Sequence, residues 1–310
     1  MFNMQETISP IKTMKIADIL KLILLVVLWA SAYGLNNIAL QTISPMANVF
    51  LRLAAGSAFL GVILFFKGEK MPRFSNYKAW IMISGVGIIG SLLPFFLIAQ
   101  AQTKVPSALA SIYLAAMPLA AAILSYFLVR DEDLGPKKII GVILGVVGVI
   151  ILSAPDLGNL ASQKAPLGAQ LQLLGAAFCY GSAVVMIRMG GGGTSPLVTS
   201  FGFIFISALV ALPFAFTDIV QNAHQYSAAS IIAAILIGIG PTALAGILYV
   251  EAVHRVGPLM VANFSNLVPI VALFIGYIFF AERIPATAIV ALVVILLGVS
   301  LLQSKSKDSA

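Results

Sequence analysis

The second half of this chain repeats the first. A shift of 151 residues, from 29 to 180, carries Trp29-Ala30-Ser31-Ala32 onto Tyr180-Gly181-Ser182-Ala183. The same shift places Ser44-Pro45 on Ser195-Pro196, Gly87-Ile88 on Gly238-Ile239, Ser91 on Thr242 and Pro118 on Pro269. After a slip of one residue, Glu132 meets Glu282 and Gly148 meets Gly298. A self-match this long in an apolar chain implies a duplicated membrane protein, and duplication in a bilayer is a common architecture for transport.

The apolar character is quantitative. Of 310 residues, 60% are hydrophobic and 9% charged, with a mean hydropathy of +1.05. A soluble domain of this size needs far more polar surface than that, whereas lipid tolerates the excess. The single Cys179 excludes a disulfide within the chain and reads as a small packing residue. The formal charge of +7 could point to nucleic acid. In a membrane chain it reads instead as basic residues held at one face, with no nucleic-acid partner.

Crossing the hydrocarbon layer takes about 20 apolar residues. Ten stretches qualify, near 18–40, 46–66, 79–101, 106–129, 138–153, 169–188, 197–216, 229–252, 258–280 and 286–303. The expected fold class is therefore an all-α polytopic membrane protein with ten transmembrane helices. The expected segments are a tail at 1–17, a first repeat at 18–153, a connection at 154–168, a second repeat at 169–303 and a tail at 304–310. If the amino terminus lies inside, the inner segments hold Lys12, Lys15, Lys21, Lys67, Lys70, Arg73, Lys78, Arg130, Lys137, Lys138, Arg188, Arg255, Lys305 and Lys307. The outer loops hold Lys104, Lys164 and Arg283, and Arg52 falls within a span. That bias predicts an inner (plasma) membrane protein with both termini cytoplasmic. Five spans per half is an odd number, so the halves enter the membrane in opposite senses, as inverted repeats. The first span imitates a signal peptide, with Ala30-Ser31-Ala32 as its cleavage site. The counterpart of this tripeptide in the sixth span marks it as part of the fold.

No Gly-rich nucleotide loop ending in Lys-Ser/Thr, no His-Glu-x-x-His helix and no Gly-x-Ser-x-Gly elbow is present. His224 and His254 lack companions at metal spacing. Neither enzyme, metal nor cofactor is expected.

Trp29, Tyr33, Asn36 and Asn37 share one face of the first span. Amides are costly against lipid, so this face should turn into the bundle, either as a substrate wall or as interhelical glue. Asn263 and Asn266 offer a second pair in the ninth span. Their repeat partners Ile112 and Ala115 are apolar, so the scaffold does not require amides there. Ser91, Tyr113 and Ser182 are further candidates, as are Thr242 and Tyr249, which share a face with Gly246. Lone hydroxyls, however, often bond back to their own helix. Arg52 could meet a substrate carboxylate or snorkel to the interface. Glu251 could carry a coupling proton or simply pair with Arg255. Pro94, Pro118, Pro213, Pro241 and Pro269 fall inside spans and bend them, either as hinges or as fixed shape. Gly141, Gly145 and Gly148 flatten one face of the fifth span for close packing, within the chain or in a dimer. Gly190 to Gly193 reads as a flexible connection.

Several patterns occur here in one order. These are Trp29-Ala30-Ser31, Phe50-Leu51-Arg52, Ala108 to Pro118 with its acidic exit at Asp131-Glu132, Gly141 to Gly148, Pro269, Ala281-Glu282-Arg283-Ile284 and Gly298-Val299. Together they resemble the EamA branch of the drug/metabolite transporter superfamily over residues 18–303. The resemblance implies a central cavity lined by spans one, three, four, six, eight and nine, with the fifth and tenth peripheral. It also implies export of small metabolites, amino acids and their relatives among them. The sequence departs from the usual Gly-Glu exit of the fourth span at Arg130-Asp131-Glu132-Asp133. The expected function is a secondary transporter of small polar metabolites, with a small-molecule substrate and the lipid bilayer as partners, acting as a monomer or homodimer. A multidrug, nucleoside or nucleotide-sugar carrier is the alternative cargo class. A polytopic enzyme or a non-transporting scaffold is the alternative of another kind.

Overall fold

The computed structural model describes residues 15–129, 135–153, 166–190 and 195–303. The acidic exit from Arg130 to Asp133, Gly191 to Gly193 of the glycine run and most of the connection between the halves lie outside them. Among the described residues ten helices are long and apolar enough to cross a membrane. They are α1 (Ile16–Ala39), α2 (Pro45–Lys67), α3 (Tyr77–Gln102), α4 (Ser107–Leu128), α5 (Pro136–Ser153), α6 (Leu167–Met189), α7 (Pro196–Gln225), α8 (Ala228–Val256), α9 (Met260–Phe280) and α10 (Ala286–Gln303). There is no strand among the described residues.

Local chemistry explains where these helices start and break. α2 and α7 both open on Ser-Pro. Ser44 accepts from the Ala47 N–H at 3.4 Å, and Ser195 from that of Val198 at 3.2 Å. The following proline has no donor to lose in a first turn. α8 ends at Gly257, whose φ of +89° turns the chain straight into Pro258. α3 and α8 each widen into a π turn, at Ile88–Leu92 and Gly238–Leu244, which the 151-residue shift superposes. Such turns hold an extra residue and disturb the regular ladder. In the second, the Thr242 hydroxyl donates to the Ile237 carbonyl at 2.9 Å. α4 is broken into Ser107–Leu114 and Met117–Leu128; α9, whose first segment Pro258–Ser265 begins two residues ahead of the apolar span, is continued by Val268–Phe280. Pro118 and Pro269 therefore start new segments, where the missing N–H costs nothing. Pro213 stays within a continuous α7.

The packing repeats as the sequence does. α3 packs on α6 as α8 packs on α1, and α4 packs on α6 as α9 packs on α1. α2 pairs with α7, α5 with α10, and the first segment of α4 with the second segment of α9. The α2–α7 pair is antiparallel and reciprocal. The Ser44 hydroxyl donates to Asp218 Oδ2 near the end of α7 at 2.6 Å. The Ser195 hydroxyl donates to Glu69, just beyond the end of α2. Each helix start is thus held by a carboxylate at the far end of its partner, so the halves run in opposite senses. Close approach is symmetric too. A Cβ on Gly87 would lie 2.7 Å from the Phe203 carbonyl oxygen, and one on Gly238 would strike that of Arg52. Arg52 and Phe203 are themselves repeat partners.

The glycine face of α5 is spent inside the chain. A Cβ on Gly141 would sit 2.6 Å from the Gly298 oxygen, one on Gly148 would sit 2.6 Å from Ile295 in α10, and Gly145 is covered by Leu119. Of the two readings of that face, close packing within the chain is the one these contacts support.

The two ends of the bundle are called here the Ser44 end, with the turns at 40–44, 103–106, 223–227 and 281–285, and the Gly257 end. At the Ser44 end Glu282 caps α4. It accepts from the backbone N–H and hydroxyl of Ser107 at 2.8 and 2.7 Å and from the Ala108 N–H at 2.8 Å.

Candidate functional site

Among the described residues one guanidinium, that of Arg52, lies in the interior. Arg52 leaves α2 among Tyr33 of α1, Phe95 of α3, Tyr180 of α6 and Thr242 of α8. Its Nε donates to Thr242 Oγ1 at 2.8 Å, and its Cζ lies 3.4 Å from the centre of the Phe95 ring. Tyr180 meets that ring edge-on, with ring centres 6.4 Å apart. Among the described residues no carboxylate forms an ion pair with Arg52. A charge in low dielectric is costly unless paired, and the ring and one hydroxyl offset only part of that cost. The π turn of α8 matters here, because it carries Thr242.

Towards the Ser44 end lies a chain of amides. Asn48 donates to Asn36 at 2.6 Å, Asn36 to Gln102 at 2.7 Å, and Gln102 to the Tyr33 carbonyl at 3.0 Å. The carbonyl can only accept, so the direction of every amide is fixed from that end. It leaves the buried Asn48 Oδ1 with no donor among the described residues. Asn36 thus joins α1 to α2 and α3. Asn37 is half-buried beside it.

Towards the Gly257 end, Trp29 meets Tyr249 with ring centres 5.7 Å apart and planes 46° apart. Glu251 pairs with Lys21, and more loosely with Arg255 at 3.5 Å; Arg255 Nε in turn reaches Asp18 at 3.0 Å. This network ties α8 to α1.

The other candidates make no hydrogen bond to Arg52 among the described residues. Tyr113 is fully buried, and its hydroxyl meets Ser153 of α5 at 3.2 Å. Ser182 donates to the Phe178 carbonyl of its own helix at 2.8 Å. Ser91 sits in the π turn of α3, next to Pro94 at the start of the following segment. Asn263 is exposed in the first segment of α9, and Asn266 donates to Gln303 of α10 at 3.2 Å. Pro241 lies within the π turn that holds Thr242.

Four residues at this centre were missed by the sequence reading: Asn48, Phe95, Gln102 and Tyr180. Asn48 had a signal, one helical turn before Arg52 on the same face. Tyr180 had one as the repeat partner of Trp29. For Phe95 and Gln102 nothing in the spacing singles them out.

The EamA-like transporter family model matches the chain twice, over residues 17–154 and 167–303. Similar proteins include YoaV of Bacillus subtilis, named an uncharacterized transporter, at 22% identity over 90% of this chain and 94% of that one. YvbV of the same organism, also named an uncharacterized transporter, is 23% identical over 93% and 92%. YedA of Escherichia coli, named an uncharacterized inner membrane transporter, is 25% identical over 81% and 79%. A solved crystal structure shares the fold with a TM-score of 0.62 at 20% identity, over 92% of this chain and 96% of that one. A doubled, inverted five-helix unit in the membrane, matched in each half, places this chain in the EamA-like transporter family.

Proposed function

We propose that the protein is a secondary carrier of small zwitterionic metabolites of amino-acid size, working by alternating access, with the substrate carboxylate on Arg52. One observation carries the reading: a guanidinium inside a membrane bundle with no carboxylate partner among the described residues. A monocarboxylate would complete it through charge-assisted hydrogen bonds. One positive charge suits one negative group. Amides and rings around it suit a cargo with little net charge, and the same charge repels cationic drugs.

The distribution of lysine and arginine supports both termini in the cytoplasm of a cell bounded by this membrane. Export is the direction in keeping with the family resemblance. The inverted halves supply two related conformations, one open to each side.

The test is counterflow in proteoliposomes. Arg52→Met keeps an unbranched apolar stem and removes the charge. It should lower amino-acid exchange at least tenfold, because truncating one partner of a desolvated charge pair is costly, and Arg52→Lys should recover part of the loss. Wild-type transport that survives Arg52→Met unchanged defeats the assignment.

A further inference from the structure

Phe95 and Gly246 are repeat partners, 151 residues apart. In the first half, Phe95 fills the interior and lies under the Arg52 guanidinium. In the second half, a Cβ placed on Gly246 meets no protein atom within 4 Å among the described residues. The residues one turn to either side of Gly246 make their contacts with other helices of the bundle. Thr242, one turn before Gly246 on the same face, holds Arg52 of α2. Tyr249, one turn after, meets Trp29 of α1. The opening therefore lies between the guanidinium and the ring pair.

Glycine weakens a helix relative to alanine, so an interior glycine calls for a reason. Close packing supplies it at Gly87 and Gly238, where a Cβ would collide with backbone. Positive φ supplies it at Gly68 and Gly257. Neither applies to Gly246.

We propose that the space beside Gly246 receives the substrate's side chain, with Trp29 and Tyr249 as its far wall, and that Gly246 selects for a bulky apolar side chain. This rests on the carboxylate of that substrate sitting on Arg52. The lengths agree: at about 1.5 Å per residue, Gly246 lies about 6 Å and Tyr249 about 10 Å along the axis from Thr242. That is the reach of one large amino acid from carboxylate to side-chain tip. The half-exposed Tyr249 ring, 41% accessible, offers a face for it.

The experiment compares L-phenylalanine, L-leucine and L-alanine as counterflow substrates of the wild type, Gly246→Ala and Gly246→Val in proteoliposomes. The wild type should favour phenylalanine and leucine over alanine. Gly246→Val should lower the phenylalanine-to-alanine ratio of transport efficiency at least tenfold, with Gly246→Ala between. The thermal midpoint of Gly246→Ala should equal or exceed that of the wild type, since its methyl group has room, so a failed fold is not the explanation. Arg52-dependent transport whose ratio is unmoved by Gly246→Val overturns the proposal alone, and a uniform slowing of all three substrates does the same by pointing to helix movement instead. Transport unaffected by Arg52→Met overturns the carboxylate reading beneath it.

Discussion

Asn36 shows how one side chain can serve three helices. It accepts from Asn48 and donates to Gln102, so its removal strands a donor on one side and an acceptor on the other. Each buried group left unpaired costs about 1–3 kcal/mol. Asn36→Leu should therefore lower the thermal midpoint of the purified protein by several degrees, whereas Asn37→Leu should change it much less. A midpoint unmoved by Asn36→Leu would show that water replaces the amide. The sequence marks Asn36 as an interior amide, because lipid forbids the alternative. It cannot mark Gln102 as the partner, since that pairing depends on how far α3 slides along α1. Arg52 is similar. Its position within a span is plain from the chain, while the Phe95 ring beneath it and the Thr242 hydroxyl beside it come from two helices distant in sequence.

Elements are more legible than contacts. All ten helices follow from apolar length, and the Ser-Pro pairs mark two of their starts. What escaped was irregularity inside the helices. Prolines at 94, 118, 241 and 269 promise bends, but a bend, a break and a wide turn are not told apart by proline alone. The structure has breaks before Pro118 and Pro269 and wide turns near Pro94 and around Pro241. The α2–α7 pair offers a test at this scale. Asp218 accepts from Ser44, from Tyr226 at 2.6 Å and from Asn222 at 2.7 Å. Burial and the Asp218 hydrogen bond push the Tyr226 phenol above its ordinary value. In a double-mutant cycle of Ser44→Ala with Asp218→Ala, the two losses should fall short of additivity by about 1 kcal/mol, the coupling expected of direct partners. Strict additivity in unfolding measurements would leave the pair as neighbours only.

At the scale of the molecule, the repeat and the count of five spans per half already give the inverted architecture. The site is less legible, because the proposed site is built where the halves differ: Arg52 against Phe203, Phe95 against Gly246, Asn48 against Thr199. Self-comparison finds what is shared and is silent on what each difference faces. The Gly257 end adds a charged tie between α1 and α8. Lys21 and Glu251 are each more than a third exposed, so their attraction is screened and easily broken, as a contact that opens in a transport cycle must be. Lys21→Glu should slow exchange in proteoliposomes, and the swap Lys21→Glu with Glu251→Lys should restore most of it. If the swap stays as slow as the single change, the pairing is not what matters.

The helix pairing has a further consequence during synthesis. α1 leans on α8 and α9, α2 on α7, α3 on α6, α5 on α10, and α4 on α6 and α9. The first five helices to leave the ribosome therefore have few neighbours of their own. Their packing is completed only when translation delivers the helices of the second half.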